Sequence, residues 1–149
     1  MIQDKPVGIY ASALLAGANF VLGSVVSSRR MSSRKSIGCD ENDPNSALTK
    51  AVRAHANHAE YTPTIIALML FIESKAMYAP QGSVDINVLH WLRFGMIGYV
   101  LGRISITCGL MSKNSLNQVS PFRRLGAMMN YLFGILLAGG IIYVQNFSY

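Results

Sequence analysis

The chain has 149 residues, a length suited to one domain, and is 51% hydrophobic with only 13% of residues charged. Its mean hydropathy of +0.31 is high for a soluble domain, so the first question is where the apolar residues gather. The formal net charge of +6 does not point to nucleic acid, because the basic stretch 29–53 has no aromatic side chain on which a base could stack.

No charged residue falls from Val7 to Ser28, and none from Leu125 to Tyr149. Either run, wound as a helix, crosses a hydrocarbon layer of about 30 Å. The first helix is expected over about 7–30. A signal peptide would have a basic start, a shorter apolar stretch and a small-residue cleavage site; this apolar run has 22 residues and ends on Arg29-Arg30, so it reads as a retained span. Its alanines and glycines allow close helix approach. Residues 29–49 form a basic, then acidic loop. Asp40-Glu41-Asn42-Asp43-Pro44 lacks the glycine and distal glutamate of a calcium loop. Asn45 or Ser46 is placed to cap the second helix, expected over about 47–77 with Pro63 bending it. Its uncharged part, Tyr61–Ile72, is too short to cross a bilayer alone, so the span has to include Arg53–Glu60 or end at Glu73. A short turn with Pro80 and Gly82 leads to the third helix, about 86–111. Gly95, Gly102 and Gly109 recur there every seven residues, and Gly98 adds a Gly98-x-x-x-Gly102 pair. Arg93 is expected to snorkel to an interface and Arg103 to pair with Glu60 or Glu73. The last helix, about 122–147, follows Pro121 and closes with Tyr143, Phe147 and Tyr149 at an interface.

The reading is an all-α integral membrane protein, a four-helix up-and-down transmembrane bundle in a single domain over 1–149. Eight of the 13 Lys and Arg fall between the first and second apolar segments or just before the last one: Arg29, Arg30, Arg34, Lys35, Lys50, Lys113, Arg123 and Arg124. The positive-inside rule places those loops in the cytoplasm and both termini on the other side. Two cysteines, Cys39 and Cys108, make no disulfide framework; Cys108 reads as a small packing residue.

The second helix carries the polar chemistry. With Arg53 as the origin, Asn57 falls at about 40°, Glu60 at about −20°, Tyr61 at about 80° and Lys50 at about 60°, one arc of roughly 100°. His55 and His58 lie elsewhere, at about 200° and about 140°, and lack a third ligand, so no metal site is expected. No nucleophile elbow, P-loop or dinucleotide fingerprint is present. A carboxylate inside a span is costly unless it faces a partner or a wet cavity, so the Arg53–Asn57–Glu60 stripe suggests a site. Arginines at the helix ends would suit the carboxylates of a zwitterionic ligand, Glu60 its ammonium and Asn57 its amide.

The stretch R-A-H-A-N-H-A-E-Y-T-P at 53–63 resembles the signature of the MAPEG family, the membrane-associated proteins in eicosanoid and glutathione metabolism. The likeness extends to Gly38 in the basic loop, Gly102-Arg103 on the third helix and Arg123 three residues before Gly126, and is greatest to the bacterial-type members. It implies a homotrimer that binds glutathione as co-substrate between subunits near the cytoplasmic face. Arg53, Asn57, Glu60 and Tyr61 would hold it, with Arg30 or Arg29 from the first helix, and Arg123 would stabilise the thiolate for attack on a lipophilic electrophile from the bilayer. The implied activity is that of a membrane glutathione transferase or peroxidase. The alternative is a non-catalytic lipid- or glutathione-binding membrane protein, a kind the family also contains. The membrane would be the inner membrane in a bacterium, or that of the endoplasmic reticulum or an organelle in a eukaryote. The sequence departs from the eicosanoid enzymes at Ile106 and Leu110, where those carry tyrosines, and at Lys50, where they carry an arginine.

Overall fold

A computed structural model describes residues 5–78, 85–113 and 115–146. Four helices follow in order: α1 (Val7–Ser32), α2 (Ala47–Tyr78), α3 (Ile86–Met111) and α4 (Pro121–Asn146). The expected turn residues Pro80 and Gly82, and the aromatics Phe147 and Tyr149, lie outside the described residues.

The helix ends follow local chemistry. Ser46 caps α2, its Oγ accepting from the Thr49 N–H at 3.1 Å, and Asp85 caps α3 through the Asn87 N–H at 2.8 Å. Helix α4 starts one residue earlier than predicted, with Pro121 at its first position. A missing N–H is harmless there, and the Ser120 Oγ accepts from the Arg123 N–H at 3.3 Å. Helix α2 runs unbroken through Pro63.

Helices α1, α3 and α4 are long and apolar enough to cross a bilayer. Helix α2 has 32 residues, about 48 Å at 1.5 Å per residue, but is interrupted by charge. Its Glu73 is neutralised inside the bundle: Arg93 of α3 donates to Glu73 Oε1, from Nε at 3.2 Å and also from Nη2. The Gly8 N–H of α1 reaches Glu73 Oε2 at 2.9 Å. Arg93, expected to snorkel, is instead buried and turned onto a carboxylate of the neighbouring helix. One carboxylate so ties three helices together, and α2 can cross with Glu73 inside it. The protein is a multi-pass membrane protein, and its outer faces agree: Phe20, Trp91, Met128 and Ile135 are all largely exposed.

The packed core lies towards the ends of the helices far from the basic loops, around Met69, Ile72, Met96, Leu137 and Val144, each 0% exposed. Helices α3 and α4 pack most closely, through the predicted glycines. A Cβ on Gly102 would meet Met129 Cβ and the Gly126 carbonyl, and one on Gly109 would meet the Arg123 backbone. Nearer the basic end a smaller cluster of Ala54, Ile106 and Leu110 closes the bundle. Between the two clusters the packing opens.

Candidate functional site

The opening is a cavity of about 380 Å³ between α2, α3 and α4, within the range of small-molecule sites. Helix α2 supplies Asn57, Glu60 and Tyr61, which the three- and four-residue spacing sets on one face. Helix α3 supplies Tyr99, Arg103 and Ile106, and α4 supplies Arg123, Asn130 and Tyr131. The α3 and α4 residues can converge because Gly102 and Gly126 let those two backbones nearly touch beside them.

The electrostatics of the cavity are uncompensated. Arg103 is 1% exposed, and its Nε, Nη1 and Nη2 have no hydrogen-bond partner among the described residues. It pairs with neither Glu60 nor Glu73, contrary to expectation: Glu73 is engaged by Arg93, and Glu60 is exposed. The Tyr61 ring lies beside it, with its centroid 5.9 Å from the guanidinium carbon. Tyr61 meets Tyr131 edge to face at 6.5 Å. The side-chain carbonyls of Asn57 and Asn130 are also buried without a donor among the described residues. A guanidinium holds its proton at any physiological pH, and buried polar atoms without partners are costly. A guanidinium and two amide oxygens without partners among the described residues thus border the cavity.

Of the residues picked out in the sequence, Asn57, Glu60, Tyr61 and Arg123 line this cavity, whereas its neighbour Arg124 is exposed and does not. Arg53 is exposed and lies outside the lining. Arg30 lines a different depression at the end of α1. The Lys50 Nζ is directed to the Ser112 carbonyl that ends α3, at 3.4 Å. Ile106 lines the cavity, but Leu110 is buried in the cluster beneath. His58 is buried, with its Nε2 3.0 Å from the Leu15 carbonyl. Cys108 is exposed rather than packed, at the edge of an apolar groove of about 340 Å³ between α1 and α3. Tyr99, Asn130 and Tyr131 were not singled out. A polar signal existed for one of them, since Asn130 is the lone amide early in the uncharged run that begins at Leu125, one turn after Gly126.

The fold and the site together define a four-helix membrane protein built around a small, cationic, partly aromatic cavity. Over residues 8–143 the chain matches the MAPEG family, and it belongs to that family. Comparison with curated proteins and with solved structures gave no match.

Proposed function

We propose that the protein is a membrane-bound glutathione transferase or peroxidase that acts on lipophilic electrophiles. The observation that carries this reading is the unpartnered Arg103, buried in a cavity that also holds Arg123 and one carboxylate, Glu60. At neutral pH glutathione has two carboxylates and one ammonium, which complement two guanidinium groups and one carboxylate. Asn57 and Asn130 would accept its amide N–H groups, and both are buried without a donor among the described residues.

Glutathione, when bound, supplies the nucleophilic sulfur. The residues of the chain position it and favour its thiolate. Arg123 stands in the first turn of α4 and faces the cavity, so its charge favours loss of the thiol proton. Arg103 follows Gly102, which packs against Gly126, Met129 and Asn130, so it lies deeper in the bundle than Arg123. Family kinship supports a homotrimer, in which Arg53 and Arg30, outside their own protomer's cavity, would reach glutathione from a neighbour. The basic loops would face the cytoplasm and both termini the opposite side.

The test is Arg123→Ala in the purified, folded protein. Conjugation of a model electrophile is expected to fall roughly a hundredfold, with glutathione still bound. A second reading, non-catalytic binding of a lipid or glutathione, is favoured by the apolar Ile106 in the cavity wall. It prevails if glutathione binds and no turnover is measured.

A further inference from the structure

The apolar groove between α1 and α3 shares one wall with the cavity. Leu14, Ala18 and Val21 of α1 line it together with Val100 and Ile104 of α3. Leu14, Val21 and Ile104 are more than half exposed, and both helices are long and apolar enough to cross a bilayer. The groove therefore opens towards acyl chains.

A charge stands inside it. Among the described residues, Arg103 is the one side chain that borders both the groove and the cavity. It is 1% exposed, and none of its nitrogens has a hydrogen-bond partner among the described residues. No carboxylate lines the groove, and His58 in its wall is turned onto the Leu15 carbonyl at 3.0 Å. A buried cation is costly until an anion meets it.

The depth of the charge narrows what can answer it. From Arg103 to Met111, where α3 ends, is about 12 Å at 1.5 Å per residue. A phospholipid phosphate keeps to the interface, and a soluble anion gains nothing from an apolar wall. A long-chain carboxylate suits both features. Its tail lies along the groove and its headgroup takes the guanidinium in charge-assisted hydrogen bonds.

We propose that the groove binds a long-chain fatty acid anion, whose carboxylate engages Arg103 from the α1 side, and that this ligand regulates the cavity. The inference rests on the glutathione reading, since one guanidinium then serves two carboxylates, one from the groove and one from the cavity. Each ligand lowers the affinity for the other by the same factor. The fatty acid is a regulator and not the second substrate: it is no electrophile, and Arg123 does not line the groove.

The full-length purified protein is irradiated with a photoactivatable analogue of palmitic acid, and the labelled residues are mapped by mass spectrometry. Label is expected within 14–22 of α1 and 100–108 of α3. Oleate is expected to displace it at a concentration roughly tenfold lower than oleyl alcohol, which has the same chain and no charge. Glutathione affinity is then measured by calorimetry with and without oleate. It is expected to fall roughly fivefold in the wild type and to stay unchanged in Ala18→Phe, which fills the groove outside the glutathione site. The proposal is overturned if the label falls elsewhere, if oleyl alcohol competes as well as oleate, or if oleate leaves the wild-type glutathione affinity unchanged. Each of these three results is read on the wild type, so none depends on the folding of Ala18→Phe. If glutathione gives no heat even without oleate, the glutathione reading fails and the regulation with it, while the labelling decides the groove by itself.

Discussion

A guanidinium cannot shed its proton to escape burial, so Arg103 costs stability by itself and becomes useful beside a ligand. Two consequences are measurable. Arg103→Met keeps most of the volume and removes the charge, so the ligand-free protein should hold or gain stability in thermal melts. Glutathione affinity should fall at least thirtyfold, the loss of about 2 kcal/mol from a charge-assisted hydrogen bond. Glu60→Gln should weaken glutathione roughly tenfold without touching stability, because Glu60 is exposed and leaves no buried partner behind. Outside the membrane, Lys35 holds the Asp40 carboxyl below its ordinary range, chiefly through their hydrogen bond. A depressed carboxyl stabilises the fold above its unfolded pKa and loses that contribution as pH falls through the folded one. Hydrogen exchange in residues 35–49 should therefore quicken only in acid, and Asp40→Asn should remove the dependence.

Among the elements, α3 and α4 approach most closely, and the Glu73–Arg93 pair joins α2 to α3 inside the bundle. A Cβ on Gly126 would sit 2.6 Å from the Gly102 carbonyl and 2.8 Å from the Ile106 nitrogen, both backbone atoms that cannot swing aside. Gly126→Leu should thus cost about 3 kcal/mol or more in denaturation and collapse the cavity between these helices. Glu73→Gln removes the charge that Arg93 of α3 and the Gly8 N–H of α1 both reach, and should lower stability by about 1–3 kcal/mol in denaturation. The sequence foretold the helices, since uncharged runs and caps such as Ser46 are local signals. It also foretold the glycine face of α3, a matter of spacing alone. What it could not supply was which charge meets which. Arg93 and Arg103 sit on one helix, and only the register of α2 against α3 decides that the first bonds Glu73 while the second bonds no carboxylate among the described residues. Half the site was legible for the same reason: Asn57, Glu60 and Tyr61 share one helix, whereas Tyr99, Asn130 and Tyr131 reach the cavity only through the packing of three.

For the whole molecule, the open question is why Arg53 and Arg30, expected to touch glutathione, lie outside the cavity of their own protomer. The proposed homotrimer, with sites between subunits, would account for it and makes a prediction. Arg53→Ala and Arg123→Ala subunits, each inactive alone, should recover part of the activity when assembled together, since some mixed interfaces would join two intact halves. No recovery would place each site within a single subunit. The central claim, that the cationic cavity receives glutathione, is tested most directly by calorimetric titration of the purified protein with glutathione. A saturable heat in the wild type that is lost in Arg103→Met is the predicted result. No heat in the wild type, or an isotherm unchanged by Arg103→Met, would contradict it.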